Sequence, residues 1–293
     1  MTATATPLPP AQPRRTAAGR GRHLRDDTGR SWTARVVVTV VIAGILLPLV
    51  PLLLSSFARG YFHPQVVPET WSLRAWQIAL GPGAATWSAL VASVVVAGVV
   101  SLISLALGLP AGRALGLYRF RGRRVVEFLL LAPVLVPPIA IAIGLHGVFL
   151  RLGLTGSVTA VVLVHLVPVL PYVVLILAGA FANLDPAFED QARSLGAGRL
   201  AVLWTVTLPS IAPGLVTAAL FGFLVSWGQY ALTLVIGGGR VVTLPILIFA
   251  SASGGDTAVT SALALFATLP ALAILLINAH AVRDRAAPLG GVR

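Results

Sequence analysis

The sequence of 293 residues contains no cysteine and no lysine. The absence of cysteine excludes disulfides, thiolate metal ligands and cysteine nucleophiles together. The absence of lysine excludes a phosphate-binding loop of the GxxxxGK[ST] type. Charged residues are also scarce, at 10% of the chain against 57% hydrophobic residues, with a mean hydropathy of +0.92. Soluble domains carry about 25% charged residues and disordered chains have low hydrophobicity, so this composition excludes an ordinary soluble enzyme and a disordered protein.

Long stretches without any charged residue separate the arginines along the chain. Each stretch can hold the roughly 20 apolar residues that cross about 30 Å of hydrocarbon as a helix. We therefore predict an all-α integral membrane protein with six transmembrane helices, near residues 36–57, 85–110, 128–150, 157–182, 214–236 and 258–281. The membrane domain is residues 34–282, between a disordered basic tail (1–33) and a short second tail (283–293). Several prolines are expected to interrupt these helices, namely Pro133, Pro137, Pro138, Pro168, Pro171 and Pro270.

The arginines divide unequally between the two sides of such a membrane domain. The two tails and the second and fourth loops hold 17 of them, which leaves four on the other side: Arg59, Arg74, Arg151 and Arg240. By the positive-inside rule both termini are cytoplasmic. The formal net charge of +12 accompanies long apolar runs, so its anionic partner is expected to be membrane lipid rather than nucleic acid.

No Asp or Glu lies inside the predicted spans, although Glu127 stands at a boundary. Ion-coupled transporters usually keep carboxylates or paired charges at membrane depth. The sequence therefore indicates neither an ion relay nor a nucleotide site, and we predict no catalytic residues and no metal site in this chain. Active transport would then draw its energy from another polypeptide. The alternative is a secondary transporter or channel that works alone.

The loop of residues 183–213, between the fourth and fifth predicted spans, has the pattern of two short helices joined by a turn. Asp185 can cap a helix that begins at Pro186, and Gly196 suits the left-handed residue that ends it. The first helix carries one apolar face, formed by Phe188, Ala192 and Leu195. A second short helix is expected to run to Leu208–Pro209, with Pro209 and Pro213 ending it, and to carry Leu200, Leu203 and Trp204 on one side. The alternative reading is a plain amphipathic connector.

This loop resembles the coupling signature of binding-protein-dependent ABC importer permeases, E-A-A-x3-G-x9-I-x-L-P. The matching residues here keep the spacing throughout, and they are Asp190, Gln191, Ala192, Gly196, Val206, Thr207, Leu208 and Pro209. Asp190 replaces the glutamate and Gln191 the first alanine, while Glu189 supplies an acid one residue earlier. The resemblance identifies residues 183–213 as a coupling loop, whose ATPase-coupling residues are expected to be Glu189, Asp190, Ala192, Gly196, Leu208 and Pro209.

The family resemblance also implies the partners. Two permease subunits, homologous or identical, form the pathway in the bacterial cytoplasmic (inner) membrane. Two cytoplasmic ATP-binding-cassette ATPase subunits bind the coupling loops and carry ATP and Mg, so this chain needs no cofactor of its own. An external solute-binding protein delivers the substrate.

The last third of the chain is most similar to permeases of the spermidine/putrescine group. That group often carries an acidic residue or pair just after the serine, whereas Gly228 and Gln229 stand here. The resemblance implies a polyamine-like substrate, but the missing acids weaken that interpretation, and another small polar solute is the alternative. Arg240 would favour an anion if it faces the pathway, and otherwise reaches from the membrane boundary to water.

Polar and aromatic residues within the predicted spans are the candidates for lining the pathway. An amide in hydrocarbon usually faces protein or a water-filled cavity, which makes Gln229 the main candidate, although it could equally bond a neighbouring helix. His146 and His165 are expected to be neutral packing or hydrogen-bonding residues rather than proton carriers. The full candidate set is Ser226, Trp227, Gln229, Tyr230, His146 and His165.

Overall fold

The computed structural model describes the backbone of residues 27–60, 65 and 67–286, and these residues are almost entirely helical. The helices are α1 (Asp27–Leu46), α2 (Leu49–Ser56), α3 (Arg74–Leu80), α4 (Ala85–Leu117), α5 (Arg123–Leu135), α6 (Pro138–Arg151), α7 (Val158–Ala182), α8 (Ala187–Ser194), α9 (Arg199–Val202), a π-helical turn (Leu203–Thr207), α10 (Leu208–Trp227), α11 (Ala231–Gly237), α12 (Leu244–Ser253) and α13 (Thr257–Ala286). The chain divides into two compact units after Leu49, and the packing described below concerns the second.

Three uninterrupted stretches are long and apolar enough to cross a membrane: Ala85–Leu117, Val158–Ala182 and Arg199–Trp227. Two bent pairs pass the same test together, Arg35–Gly44 with Leu49–Ser56 and Arg123–Leu135 with Pro138–Arg151, which gives up to five spans within the described residues. Two shorter apolar helices follow near the end of the chain, Leu244–Ser253 and Thr257–Ala273. The fold is therefore all-α, and the sixth span and the orientation remain predictions.

Four of the expected spans differ from the structure in their continuity or limits. The first is broken at Leu47 and Pro48, and the third is two helices that meet at 99° around Val136 and Pro137. Proline restricts the residue before it to extended backbone, and Val136, which precedes Pro137, is extended. This explains the break within the third span. The second span runs on to Leu117. The fifth span, expected at 214–236, instead ends at Trp227 and resumes as α11 after three non-helical residues.

Other expectations about helix limits need smaller corrections. Residues 27–33 of the expected disordered tail belong to α1, while residues 1–26 and 287–293 lie outside the described residues. The sequence reading also missed α3 and α12. Four prolines expected to interrupt helices instead lie inside them: Pro133 in α5, Pro168 and Pro171 in α7, and Pro270 in α13. Membrane helices tolerate such prolines because neighbouring helices satisfy the freed backbone groups.

Helix α7 lies at the centre of the second unit, packed between α4 and α10. Its side chains are the most deeply buried set in the chain, including Val161, Val164, Val169, Val173 and Leu177, all with no exposed surface. The helix begins where Ser157 Oγ accepts the backbone N–H of Ala160 at 3.1 Å. This N-cap fixes the start of α7 one residue from the sequence expectation.

Small residues on both neighbours allow α7 to approach closely. On α4, a Cβ added at Gly112 would lie 2.7 Å from Leu177 Cβ, and one added at Gly116 would lie 2.6 Å from the backbone oxygen of Ala178. On α10, a Cβ added at Gly214 would overlap Ala180 Cβ. In lipid, where helices gain little from excluding water, such close backbone contact is a main source of helix association.

Candidate functional site

The first helix of the coupling loop, α8, has at its two ends the capping groups that the sequence predicts. Asp185 Oδ1 accepts the backbone N–H of Ala187 at 3.0 Å, which satisfies a free donor at the start of α8. At the other end, the N–H of Ala197 bonds to the carbonyl of Ala192 (3.0 Å) and that of Gly196 to Arg193 (2.9 Å). This is the Schellman arrangement, and Gly196 adopts φ +88° within it. The predicted turn is therefore present.

The second helix of the loop does not end where the sequence reading placed its end. From Arg199 the chain is helical through α9, the π-helical turn and α10 as far as Trp227. Pro209 lies in the first turn of α10 and Pro213 lies inside it, so neither ends a helix. The N–H of Leu208 bonds to the carbonyl of Leu203, five residues back, so the π-helical turn absorbs one extra residue there. The coupling loop is thus continuous with a membrane helix.

Glu189 lies on the inner face of α8 and is 3% exposed. Arg113 of α4 donates to both of its carboxylate oxygens, Nη1 to Oε1 at 2.8 Å and Nη2 to Oε2 at 2.6 Å. Thr207 Oγ1, at the end of the π-helical turn, donates to Oε1 at 2.7 Å. Arg193 Nη2 adds a bond to Oε2 at 3.0 Å. We call Arg113, Glu189 and Thr207 the clasp, because together they join α8 to both α4 and α10.

The clasp changes the acid–base behaviour of its carboxyl group. Hydrogen bonds from the Arg113 guanidinium, with a smaller contribution from the bond donated by Thr207, lower the pKa of Glu189 from 4.5 to about 2 against the opposing effect of burial. Glu189 is therefore ionised at neutral pH and fully engaged within this subunit.

Asp190 faces the other way, with 71% of its side chain exposed and a single ion pair to Arg193 at 2.8 Å. Near it, Phe188 is 56% and Leu195 89% exposed. Of the remaining coupling candidates, Ala192 and Leu208 are half-buried and Pro209 is exposed. The two neighbouring acids thus have different surroundings, one directed into the subunit and the other to its surface.

The sequence reading did not anticipate Arg113 and Thr207 as part of this site. Arg113 was placed in a loop, but α4 continues through Pro110 to Leu117 and carries this arginine on its last turns. The sequence feature that could have drawn attention to Arg113 is its position as the first charged residue after the long uncharged stretch that follows Arg74. Thr207 falls on a variable position of the family signature, so no sequence signal pointed to it.

The structure brings together two of the residues expected in the pathway and buries both inside the subunit. His165 of α7, 1% exposed, bonds through Nδ1 to Ser226 Oγ and through Nε2 to Thr233 Oγ1, both at 2.9 Å. Ser226 lies in the last turn of α10 and Thr233 belongs to α11, so the imidazole connects the two helices across the interruption at Gly228–Tyr230. Thr233 was not among the sequence candidates.

The other pathway candidates lie at several different places. Trp227 is 8% exposed and stacks on Phe223 with ring centroids 5.6 Å apart, while Tyr230 packs against Phe249 at 4.4 Å. Gln229 is half-buried in the interruption. His146, also half-buried, lies on α6, and its Nδ1 atom has no hydrogen-bond partner. The candidates therefore do not form one cluster.

Arg240 is exposed after α11, and its side chain passes close to Gly156, where an added Cβ would lie 3.0 Å from Arg240 Cδ. Gly156 has φ +75° and its N–H bonds to the carbonyl of Ile236 at 2.9 Å. The loop before α7 and the end of α11 are thereby fixed to each other beside the exposed Arg240 side chain.

Comparison with known proteins agrees with the family resemblance. Residues 104–284 match the family described as "Binding-protein-dependent transport system inner membrane component". The molybdenum transport system permease protein ModB of Mycobacterium bovis is 32% identical over 263 residues, covering 84% of this chain and 94% of that protein. The spermidine/putrescine transport system permease protein PotC of Haemophilus influenzae is 26% identical over 249 residues, covering 85% and 96%.

Solved structures show the same fold. A bacterial ABC transporter that imports the acidic polysaccharide alginate has a chain with TM-score 0.65 and 18% identity, covering 86% of this chain and 96% of that one. A chain of the MetNI methionine ABC transporter in an inward-facing conformation has TM-score 0.56 and 17% identity, covering 68% and 94%. With its match to the family over 181 residues (104–284), this chain belongs to the binding-protein-dependent transport system inner membrane components, and is a multi-pass permease subunit of an ABC importer in the bacterial cytoplasmic membrane.

Proposed function

We propose that this permease subunit is driven by a cytoplasmic ATP-binding-cassette ATPase dimer, which binds the coupling loop at the outward face of α8. The observation that carries the proposal is the different burial of the two acids: Glu189 is held inside the subunit, whereas Asp190 is exposed and lines a shallow groove with Leu195. A short helix with an apolar and acidic outer face can bind in a groove of a partner. ATP and Mg then belong to the ATPase.

The clasp supplies the mechanical connection in this proposal. Because Glu189 bonds to Arg113 and Thr207, a displacement of α8 is passed to α4 and α10 as a rigid-body motion. Asp190 is the acid that contacts the ATPase, and Glu189 is a positioning residue. This assigns different roles to two carboxylates that the sequence alone leaves equivalent.

Co-purification of the ATPase with variants of the outer face tests the proposal. Asp190→Ala and Leu195→Ser should each lower the recovered ATPase while leaving the amount of permease in the membrane unchanged. Leu73→Ser is the matched control, since Leu73 is another strongly exposed leucine, 59% exposed, just before α3 and away from the coupling loop. Unchanged ATPase recovery with both outer-face variants would contradict the proposed docking surface.

Six transmembrane helices with both termini in the cytoplasm remain part of the proposal, and the 17-to-4 distribution of arginines supports it. Cysteine labelling gives a clean test because the chain has no native cysteine. Cysteines at Arg121 and Arg199 should react with a membrane-impermeant reagent only after the cells are opened. One at Gln65 should react in intact cells, and labelling at position 121 from outside would contradict this topology.

The pathway is formed with a second permease subunit, homologous or identical, and an external solute-binding protein supplies the substrate. We assign the substrate to the class of small inorganic oxyanions. Between Asp190 and Asp256 the sequence contains no acidic residue, so a dication would find no carboxylate to offset its loss of hydration along α10, α11 and α12. An anion does not need a carboxylate and can be bound by amide and hydroxyl donors such as that of Gln229. The similarity to a molybdenum permease also supports this class.

Uptake by cells that carry the whole importer distinguishes this class from polyamines, the class suggested by PotC. Radiolabelled molybdate should enter in an ATP-dependent manner, and unlabelled molybdate should compete with it while spermidine should not. Cells without this permease are the control. Spermidine uptake that depends on this chain, with no molybdate uptake, would contradict the oxyanion assignment without affecting the coupling proposal.

A further inference from the structure

The interruption between α10 and α11 lies deep within the region that crosses the membrane. His165, which contacts both sides of it, is eight residues from Ser157 and 17 from Ala182. At 1.5 Å per residue these separations are about 12 Å and about 26 Å along α7. The three non-helical residues Gly228–Tyr230 therefore lie at membrane depth rather than at a surface.

Non-helical backbone at this depth needs a specific environment. In lipid it is tolerated only where it is buried in protein or lines a water-filled cavity, and transporters use interrupted helices to build substrate sites. Gly228 is exposed and, with Trp227 and Tyr230, lines a groove of about 520 Å³ that is also lined by Phe249. Gly228 and Tyr230 thus border open space in this subunit, and Gln229, which is half-buried, lies between them.

The hydrogen bonds around His165 fix which atom donates to which. Thr233 Oγ1 donates to the backbone carbonyl of Gln229 at 3.1 Å, so its oxygen must accept from His165 Nε2–H. Nδ1 then accepts the hydroxyl proton of Ser226. One neutral imidazole completes a continuous chain of bonds from the end of α10 to the carbonyl of Gln229.

We propose that His165 is a positioning residue that holds Gly228–Tyr230 in its interrupted conformation and so keeps Gln229 half-buried at the edge of the pathway. This rests on the proposed place of Gln229 in that pathway. The side chains that do the positioning are themselves inaccessible: His165, Ser226 and Thr233 are 1%, 3% and 0% exposed. These three residues, called the trio below, therefore influence substrate binding only through the backbone that they hold in place.

Labelling of a single cysteine at Gln229 tests the proposal without depending on the identity of the substrate. The assembled importer is kept in native membrane vesicles that have been permeabilised, so that the reagent reaches both faces of the membrane. The vesicles are treated with a small water-soluble methanethiosulfonate. His165→Leu removes both bonds, and Thr233→Val removes the hydroxyl without changing the shape of the side chain. Each should raise the labelling rate by at least about tenfold, because each variant loses two hydrogen bonds and one alone changes an opening equilibrium several-fold.

The controls separate positioning from general damage to the fold. His165→Gln retains a donor toward Thr233 and should restore most of the parent rate. Ser104→Ala removes another fully buried hydroxyl, one without a hydrogen-bond partner, and should leave the rate unchanged. A reporter cysteine at the exposed Glu69 should label equally in every variant.

Two results would overturn the inference. One is an unchanged or lower labelling rate at position 229 in both His165→Leu and Thr233→Val. The other is failure of both variants to reach the membrane, which would make the trio a requirement for folding. If labelling rises as expected but Gln229→Leu leaves uptake unchanged, the positioning role stands and the proposed place of Gln229 in the pathway fails.

Discussion

Arg113 and Glu189 are 76 residues apart in the chain, yet they form two parallel hydrogen bonds. Arg113 Nη1 donates to Glu189 Oε1 at 2.8 Å, and Nη2 donates to Oε2 at 2.6 Å. The pair joins a membrane helix to the short helix α8. Bidentate geometry of this kind restricts orientation as well as distance. The coupling loop is therefore attached to the membrane domain by a directional contact, in addition to the backbone that enters and leaves it.

Replacing Glu189 by Gln tests the contribution of the clasp to stability. The change leaves Arg113 without its counter-charge and should cost about 2 kcal/mol, less than the 3–5 kcal/mol typical of fully buried pairs because Arg113 keeps some contact with water. Thermal unfolding of the purified permease measures the loss. Asp190→Asn is the control, since its ion pair is exposed and worth at most about 1 kcal/mol. Equal effects of the two changes would contradict the assignment of the clasp.

Acidification should weaken the clasp in a defined range. The pKa of Glu189 is about 2 in the folded chain and 4.5 ordinarily. Its contribution to stability is therefore complete above pH 4.5 and is lost as the pH falls toward 2. The free energy of unfolding of the parent should fall more steeply over this range than that of Glu189→Gln. Parallel curves would show that this carboxyl does not titrate as described.

Gly196→Val should separate coupling from membrane insertion. A valine at φ +88° costs about 1–2 kcal/mol in backbone strain, which corresponds to roughly a tenfold loss of ATPase association if the turn must keep its form. The membrane helices are remote from this turn, so the amount of permease in the membrane should not change. Co-purification of the ATPase is the measurement.

Gly198→Val is the matched control for that experiment. Both glycines have open space for a Cβ, but Gly198 has φ −69° and ψ 163°, which valine adopts readily. Its ATPase association should therefore stay near that of the parent. Full association and uptake in Gly196→Val would leave the turn as a simple connector.

The packing of α4 on α7 predicts a position-dependent effect of adding one methyl group. Gly112→Ala should destabilise the protein by about 1–3 kcal/mol, because the new Cβ would lie 2.7 Å from Leu177 Cβ and 3.0 Å from the backbone nitrogen of Ala178. Gly98→Ala on the same helix meets nothing within 4 Å and should be neutral or slightly stabilising. Thermal unfolding of both variants gives the comparison, and equal stabilities would contradict the close approach.

The sequence by itself determined the class of the protein and the local form of the coupling loop. Composition required a membrane protein, since an apolar chain with few charges has no other stable environment. The cap at Asp185 and the left-handed turn at Gly196 depend only on groups within a few residues, so local rules predicted both. The spacing from Asp190 to Pro209 indicated the family.

Tertiary structure decided what distant groups do together. Adjacent positions in the sequence could not distinguish Glu189 from Asp190, because the difference arises from Arg113 on another helix and from the π-helical turn that directs Thr207 toward the same carboxylate. The interruption at Gly228–Tyr230 could not be predicted from the sequence either, since these residues continue a long uncharged run. Hydrogen bonds from His165 to both sides fix it, and hydropathy cannot report bonds between residues more than 60 positions apart.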